Sequence, residues 1–333
     1  MKPHITAIPQ GTRTFLFEEA ELKRRIEQEI HARLKERGFQ EIVTPLLEYY
    51  DSAAVALGDE AGRIIRFAEE ESGMAMALRA DITSQVARSA ATHLGKLPLP
   101  LKLCYNGPVF RRAQKGKGEQ YVLNQSGMEI IGEPAPEGDG RIVEAIMACM
   151  KAVGLESYTF SVGHAGILGF LLNEIPPASA GKIKTAISKK DKAALARELD
   201  KSGVDARTSG AVAGLAGLCG GVSVLDEAER LCGWHDGAAS AVGNLKSFLR
   251  LAEPAGFEKR LVLDFGETRG RGYYTGIIME IFSDSMPALG AGGRYDNLVG
   301  RYGKDLPAVG FAFDVERLME AVTRQNARSK RER

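Results

Sequence analysis

One stretch, residues 261–295, constrains the fold more than any other part of the chain. Two runs rich in β-forming side chains, Leu261–Phe265 and Tyr273–Phe282, predict strands. The turn Arg269-Gly270-Arg271-Gly272 lies between them, and its glycines leave room for a ligand near the backbone. A guanidinium at a strand end can hold a carboxylate through two parallel hydrogen bonds. From the spacing alone, a plain antiparallel hairpin with a glycine-rich turn is an equal alternative.

A second glycine cluster ends this stretch. Gly290, Gly292 and Gly293 allow another close backbone approach and are followed at once by Arg294-Tyr295-Asp296. The segments RGRGYYTG and AGGRYDNL resemble the two histidine-specific signatures of histidyl-tRNA synthetases and their paralogues. The resemblance implies an α+β fold: a class II aminoacyl-tRNA synthetase-like antiparallel sheet flanked by helices, with a helical insertion. It also implies histidine as the ligand.

Composition and charge restrict the function classes. A chain of 333 residues can bury a large core in one or two domains. The formal net charge of +1 predicts no general affinity for nucleic acid. The four cysteines lack metal-ligand spacing, so we expect thiols in a reducing cytoplasm, with no metal and no cofactor. No apolar run reaches the ~18 residues of a membrane span, and we expect no membrane contact.

The N-terminal part predicts an interface between two copies of the chain. Phe17–Arg37 reads as an amphipathic helix with an apolar residue at every fourth position, and Phe39–Pro45 reads as a strand at an edge or interface. A long helix followed by a strand ending in Thr-Pro resembles motif 1 of class II synthetases. That resemblance implies a self-dimer through this region. The apolar stripe consists of Leu22, Ile26, Ile30 and Leu34.

The segment Leu78–Arg88 supplies acceptors for an ammonium group. It resembles a family segment in which an acidic residue and a threonine, here Asp81 and Thr83, receive the amino group of histidine. Carboxylate and hydroxyl oxygens both accept hydrogen bonds from an ammonium. The alternative is that Asp81 or Thr83 caps the helix that follows, and the two roles are compatible.

Two further predicted strands, 103–111 and 123–132, resemble the antiparallel pair of motif 2. Gln125 and Glu129 are four residues apart and therefore point to the same face of their strand. The resemblance implies that they contact the amino group and the imidazole of the ligand. It also implies that Tyr105 faces the same site and that Arg111 is the motif 2 arginine.

The motif 2 loop departs from the synthetase pattern. Ala113 stands in place of a glutamate, Gln114 in place of an arginine, and Glu119 and Tyr121 in place of later arginines. In the family this loop holds ATP and the acceptor end of tRNA. Acidic or neutral side chains at these positions would repel or ignore phosphate.

Motif 3 departs from the pattern at one position. Residues 308–317 resemble its strand and helix and keep its arginine as Arg317. Asp314 replaces a glycine that lies beneath the adenine and ribose in the family, and its charge would oppose the phosphates. Near the ligand turn, Gly272 replaces an aspartate and Arg271 a leucine.

We expect a discontinuous domain organisation. Residues 1–175 and 257–322 form the synthetase-like core, and residues 176–256, rich in Ala, Gly, Lys and Asp, form a helical insertion. Residues 323–333 are expected to be a frayed basic tail. A histidyl-tRNA synthetase continues into an anticodon-binding domain after motif 3, so no tRNA partner is expected.

A chain that keeps an amino-acid pocket and loses the nucleotide side is best interpreted as a sensor. The pattern is similar to the regulatory subunits of ATP phosphoribosyltransferase, the enzyme of the first step of histidine biosynthesis. The resemblance implies a non-catalytic subunit that activates a short catalytic subunit and mediates feedback inhibition by histidine. The expected histidine-binding residues are Asp81, Thr83, Tyr105, Arg111, Gln125, Glu129, Arg269, Tyr273, Tyr274 and Tyr295.

The alternative from a different class is an enzyme. A synthetase-like core without the anticodon-binding domain could still form histidyl-adenylate, because Arg111 and Arg317 are present. ATP–pyrophosphate exchange with histidine distinguishes the two hypotheses.

Overall fold

The computed structural model describes residues 4–113, 120–267, 274–284 and 286–331. Within these residues the chain forms twelve α-helices and twelve strands. The helices are α1 Phe17–Glu36, α2 Tyr50–Leu57, α3 Thr83–Ala91, α4 Glu137–Ala152, α5 Ala165–Asn173, α6 Pro177–Ser188, α7 Lys192–Ser202, α8 Ala206–Ala216, α9 Val224–Cys232, α10 Asp236–Ala252, α11 Asp296–Gly300 and α12 Val315–Arg331. The strands are β1 Gln40–Glu41, β2 Leu47–Tyr49, β3 Arg66–Ala68, β4 Ala75–Leu78, β5 Leu101–Phe110, β6 Val122–Ile131, β7 Thr159–His164, β8 Cys219–Gly220, β9 Leu261–Asp264, β10 Ile277–Phe282, β11 Gly290–Arg294 and β12 Ala308–Asp314.

A single large sheet organises the molecule. In the described part of the chain it has nine strands, in the order β1-β5-β6-β12-β11-β10-β7-β9-β8. Only the β1–β5 and β7–β9 pairs are parallel, and all other neighbours are antiparallel. The predicted antiparallel sheet flanked by helices is therefore confirmed, including the motif 2 pair β5–β6 and the motif 3 strand β12 that leads into α12.

The hairpin alternative for residues 261–282 is wrong. Strands β9 and β10 do not pair with each other, because β7 lies between them. Leu261 is opposite Phe160 on one side of β7, and Ile277 is opposite His164 on the other. The side chains of Phe160 and Val162 in β7 are fully buried, as expected for a strand in the middle of a sheet.

The two faces of the sheet carry different helices. Helices α1, α4 and α12 pack on one face, and α3 and α11 pack on the other. Strand β6 shows how the sequence divides between them, because successive side chains of a strand point to opposite faces. Met128 and Ile130 belong to the first core, whereas Ile131, on the Glu129 face of β6, belongs to the second.

The predicted helix at the N-terminus is confirmed as α1, with Ile26, Ile30 and Leu34 buried. The strand expected over Phe39–Pro45 is much shorter, since only β1 pairs with the sheet. The Thr44 backbone carbonyl accepts a hydrogen bond from Arg79 Nη1 at 2.9 Å, and its hydroxyl contacts the Gln85 side-chain oxygen at 2.5 Å. These contacts draw the chain away from the sheet edge.

Residues 176–256 form five helices, α6 to α10, and one short strand. That strand, β8, pairs with β9 and forms the last strand of the large sheet, so this segment is not purely helical. The frayed tail expected from residue 323 onward is wrong for the described residues, because α12 continues to Arg331. Gln325 anchors it by accepting the Glu156 backbone N–H at 2.8 Å. No described helix is both long and apolar enough to cross a membrane.

We predict that Ile30→Ala lowers the free energy of unfolding by about 2–5 kcal/mol. The side chain is 1% exposed in the core between α1 and the sheet, and truncation leaves a cavity there. Gln28→Ala on the exposed side of the same helix should change stability by no more than about 0.5 kcal/mol. Urea denaturation of both variants measures the difference, and equal losses would contradict the assigned face of α1.

Candidate functional site

A buried carboxylate lies at the centre of the candidate site. Glu129 in β6 is 1% exposed, on the sheet face covered by α3 and α11. Its Oε1 accepts hydrogen bonds from Thr83 Oγ1 at 2.7 Å and from the Tyr105 hydroxyl at 3.1 Å. Its Oε2 accepts a hydrogen bond from the Tyr295 hydroxyl. Four residues from four distant segments, all predicted to bind histidine, are therefore brought together.

The protonation of Glu129 is set by two opposing effects. Burial raises the pKa of its carboxyl to about 7, and the hydrogen bonds from Tyr295, Thr83 and Tyr105 oppose that rise. The nearby Asp81 charge adds to the increase. Burial likewise raises the pKa of Tyr105 well above its usual range, so its hydroxyl remains a neutral donor. A ligand that donates an N–H to Glu129 would stabilise its charged form.

Side chains of the site occupy the space beside two glycines on neighbouring strands. A Cβ on Gly310, the cross-strand partner of Glu129, would overlap the Glu129 carboxylate. A Cβ on Gly127 would overlap the ring of Tyr105 in the same way. The Glu129 carboxylate and the Tyr105 ring therefore lie directly against the backbone of the neighbouring strands. Only glycine allows both groups to lie flat on the sheet.

Tyr274 completes the wall of the site. Its ring lies where a Cβ of Gly293 would come within 3.0 Å. Together with Thr83, Glu129 and Tyr295 it lines a cavity of about 10 Å³. That volume is about what a single water molecule needs, so these side chains almost completely close the site. Residues 291–292 and 310–312 form the remaining wall.

Asp81 caps the N-terminus of α3, which is one of the two roles that the sequence allows. Its Oδ1 accepts the Ser84 backbone N–H at 3.0 Å in the first turn of α3. Its Oδ2 lies 3.9 Å from Arg111 Nη2, and Arg111 Nε donates to the Ala80 carbonyl at 2.9 Å. The cap leaves Oδ2 close to a cation, so the carboxylate is held at the edge of the site.

Gln125 lies on the Glu129 face of β6 and is buried, with Asp314 opposite it on β12. Asp314 Oδ2 forms an ion pair with Arg317 Nε at 3.1 Å. The Arg317 backbone N–H donates to Asp314 Oδ1 at 3.1 Å, and Arg317 Nη1 donates to the Ala288 carbonyl at 2.6 Å. The motif 3 arginine is therefore held by a carboxylate and a carbonyl of its own chain.

Part of the predicted site falls outside the described residues. Arg269 and Tyr273 lie there, as do Arg271 and Gly272 of the ligand turn and residues 114–119 of the motif 2 loop. The described end of that loop is attached to the sheet, because the Arg111 backbone N–H donates to the Tyr121 carbonyl at 2.9 Å.

Sequence reasoning missed a buried ion pair behind the site. Arg294, 3% exposed, donates from Nε to Asp139 Oδ1 at 2.9 Å and from Nη1 to Asp296 Oδ1 at 3.0 Å. Burial raises the pKa of Asp139 to about 6 despite the adjacent guanidinium. The Arg294 carbonyl accepts the Thr275 backbone N–H at 2.7 Å. The ion pair thus anchors the residues next to Tyr274 and Tyr295 to α4.

The sequence indicates only part of this ion pair. The motif AGGRYDNL contains Arg294 and Asp296, whereas Asp139 lies 155 residues away from Arg294 in α4, which no motif marks. His164 at the end of β7 caps α5 by accepting the Gly166 N–H at 3.1 Å, and burial lowers its pKa to about 4. Among the described residues, no group of three or more His, Cys, Asp or Glu side chains could hold a metal ion.

Comparisons with known proteins agree on one family. Residues 11–318 match the family model described as histidyl-tRNA synthetase. A protein of Geobacter sulfurreducens named ATP phosphoribosyltransferase regulatory subunit is 36% identical over 322 residues, covering 96% of this chain and 73% of the relative. A protein of the same name from Moorella thermoacetica is 33% identical over 321 residues, covering 94% and 81%.

Solved structures show the same fold. An ATP phosphoribosyltransferase regulatory subunit/histidyl-tRNA synthetase from Bacillus halodurans superposes with a TM-score of 0.88 at 25% identity, over 97% of this chain and 84% of that one. A histidine–tRNA ligase subunit from Alicyclobacillus acidocaldarius gives a TM-score of 0.81 at 23% identity, over 98% and 100%.

We predict that Tyr295→Phe destabilises the protein more at pH 8 than at pH 5.5. The folded-state pKa of Glu129, about 7, lies above the unfolded value of 4.5, so its contribution to stability is greatest below pH 4.5 and declines as the pH rises through 7. Losing the Tyr295 hydroxyl removes a hydrogen bond to a charged group at pH 8, worth about 1.5–3 kcal/mol, and to a neutral group at pH 5.5, worth about 0.5–1.5 kcal/mol.

Urea denaturation at both pH values measures this difference. Tyr302→Phe, which removes another half-buried hydroxyl on the same face, serves as the control and should show no extra loss at pH 8. An equal loss at both pH values in Tyr295→Phe would contradict the assignment of Glu129 as the titrating partner.

Proposed function

Because the chain belongs to the histidyl-tRNA synthetase family, among relatives named ATP phosphoribosyltransferase regulatory subunit, we propose that it is such a regulatory subunit. In this role it has no catalytic activity alone. It activates a short-form catalytic subunit in the first step of histidine biosynthesis and transmits feedback inhibition by histidine. Feedback requires that histidine bind one state of the complex more tightly than the other.

The observation that carries the proposal is the contrast between the two sides of the site. The Glu129 cluster is complete, with three hydroxyl donors on one buried carboxylate. On the nucleotide side, Arg317 is neutralised by Asp314, whose carboxylate lies where the family has glycine. A cation engaged in this way is a poor ligand for phosphate, whereas the amino-acid pocket retains its polar groups.

We propose distinct roles for the pocket residues. Glu129 and Tyr274 face the imidazole, and Asp81, Thr83 and Gln125 hold the ammonium group. Arg269 holds the carboxylate. Tyr105 and Tyr295 orient Glu129 through their hydroxyls, and Arg111 balances the charge of Asp81. Tyr273 is included in the histidine-binding set from the signature alone.

The setting of this function is proposed to be the cytoplasm. All four cysteines are free thiols, and Cys104, Cys149 and Cys232 are buried, a pattern typical of a reducing compartment. We propose no role for tRNA, because the net charge of +1 provides no general attraction for nucleic acid.

We propose a self-dimer through the motif 1 region. Val43 is 84% exposed, and Leu47 and Tyr49 on β2 are 50% and 54% exposed, whereas Glu48 between them is buried. Phe67 on β3 extends the same apolar surface across the three-stranded sheet β2-β4-β3. Large apolar side chains grouped on one surface are typical of an interface.

The function is tested by reconstitution with a short-form catalytic subunit. The mixture should convert ATP and phosphoribosyl pyrophosphate to phosphoribosyl-ATP and pyrophosphate, and histidine should inhibit this reaction. Glu129→Gln should weaken histidine binding about 10- to 150-fold, since a charged acceptor for the ring N–H is lost, and should leave activation intact. Glu137→Gln, the same change at an exposed position on α4, should alter neither property.

Calorimetric titration with histidine, and with alanine as a ligand that lacks the ring, measures the binding side of the same test. Glu129→Gln should affect histidine much more than alanine. Equal losses would mean that Glu129 does not read the ring. ATP–pyrophosphate exchange by the wild-type chain with histidine would instead support the adenylating enzyme.

The dimer is tested by the double variant Leu47→Glu/Tyr49→Glu. Four buried carboxylates across a two-fold interface should shift the protein to a monomer, because unpaired charges are costly to bury. Sedimentation velocity measures the shift, with Leu251→Glu, an exposed leucine on α10, as the control that remains dimeric. A double variant that stays dimeric would place the interface elsewhere.

A further inference from the structure

A second cavity lies far from the histidine pocket, in the segment formed by α6, α7 and α8. It has a volume of about 520 Å³, within the roughly 300–1,000 Å³ range of small-molecule sites. It lies against Asp264 at the end of β9, which is five strands away from β6 in the sheet. At 4.7–4.9 Å per strand, this separation is about 24 Å. The cavity is therefore not part of the Glu129 site.

The lining of the cavity is apolar and the rim is charged. Ile187, Leu195, Ala196, Ala213 and Leu218 contribute aliphatic surface. Lys190, Asp191 and Lys192 lie on the rim in the turn between α6 and α7. The Asp191 carboxylate is occupied as the cap of α7, accepting the Ala194 N–H at 2.9 Å. Lys192 has no carboxylate within 4.0 Å among the described residues.

Lys190 has an unfavourable backbone conformation. Its φ of 54° lies in the left-handed region, and its N–H and that of Asp191 donate to the carbonyls of Ile187 and Ala186. This is the helix-ending arrangement in which glycine is usual, because a Cβ is strained there. The lysine places its ammonium 3.1 Å from Asp264 Oδ2, across the rim of the cavity. Strain of this kind is commonly retained where the side chain has a function.

We propose that this cavity binds a small organic anion with an apolar body, such as an aromatic carboxylate or sulfonate. The apolar part would lie on Ile187, Leu195 and Leu218, and the anionic group would pair with Lys192 and with Lys190. Lys190 can contact the anion while it stays paired with Asp264, because its side chain is largely exposed and an ammonium group has three N–H donors. A cationic ligand is disfavoured, since it would meet the ammonium groups of two lysines.

The test uses 8-anilinonaphthalene-1-sulfonate as the probe and Cys219 as a reporter. Cys219 lines the cavity and is the exposed cysteine of the chain, since the other three are buried. A saturating concentration of the probe should slow alkylation of Cys219 by N-ethylmaleimide at least fivefold in the full-length protein. Burial and the charge of Asp264 raise the pKa of this thiol, so the reaction is run at pH 8.5.

Three variants separate a specific site from general adsorption. Ala213→Trp, at an exposed position of the lining, should fill the cavity without entering the core, weaken the probe at least tenfold and abolish the protection. Ala193→Trp, exposed on α7 and outside the lining, should bind like the wild type. Lys190→Gly should relieve the backbone strain and still weaken the probe three- to tenfold.

The outcomes are decisive in either direction. Protection that is lost in Ala213→Trp and retained in Ala193→Trp supports the site. Absence of protection in the wild type, or equal probe binding by the two tryptophan variants, overturns it. If Lys190→Gly binds the probe as tightly as the wild type does, Lys190 does not contact the ligand, and the assignment of an anionic ligand is overturned. Circular dichroism of each variant verifies that it is folded.

Discussion

The burial of one carboxylate constrains the arrangement of the core around it. Glu129 has almost no contact with solvent, so its charge must be matched by donors from the protein. Those donors come from α3, from β5 and from the residue after β11, which are far apart in the sequence. The Asp139–Arg294 ion pair then attaches the end of β11 to α4 on the opposite side of the sheet. The members of the site thus contact each other, and the ion pair holds the end of β11 from the opposite side of the sheet.

Much of the fold could be predicted because periodicity and family signatures agree. The α1 stripe, the β5–β6 pair and the β12–α12 unit all follow from local patterns, and the structure contains each of them. The convergence of Thr83, Tyr105, Glu129 and Tyr295 followed from the signatures, since no local pattern links residues 46, 24 and 166 positions apart. The insertion of β7 between β9 and β10 could not be predicted, because strand order depends on packing across the whole sheet.

The other differences between prediction and structure also arise from contacts between residues that are distant in the sequence. Asp139 carries no local sign of its role, since a carboxylate in the first turn of a helix is ordinary. The last turns of α12 look like a polar tail, yet contacts between Gln325 and the loop before β7 hold them in place. The sequence predicts that Asp314 opposes phosphate by its charge alone. The structure adds a second effect, because Asp314 forms an ion pair with Arg317, the arginine that motif 3 retains.

The glycines beneath Tyr105 and Glu129 have a consequence for how this pocket can change. Each large side chain rests on a neighbouring strand at a position with no side chain, so the two members of a pair share one volume. A larger residue at Gly310 would be accepted only together with a smaller one at position 129, and the same holds for Gly127 and Tyr105. Attempts to retune the ligand preference should therefore vary these positions jointly, because libraries of single changes would sample mainly misfolded pockets.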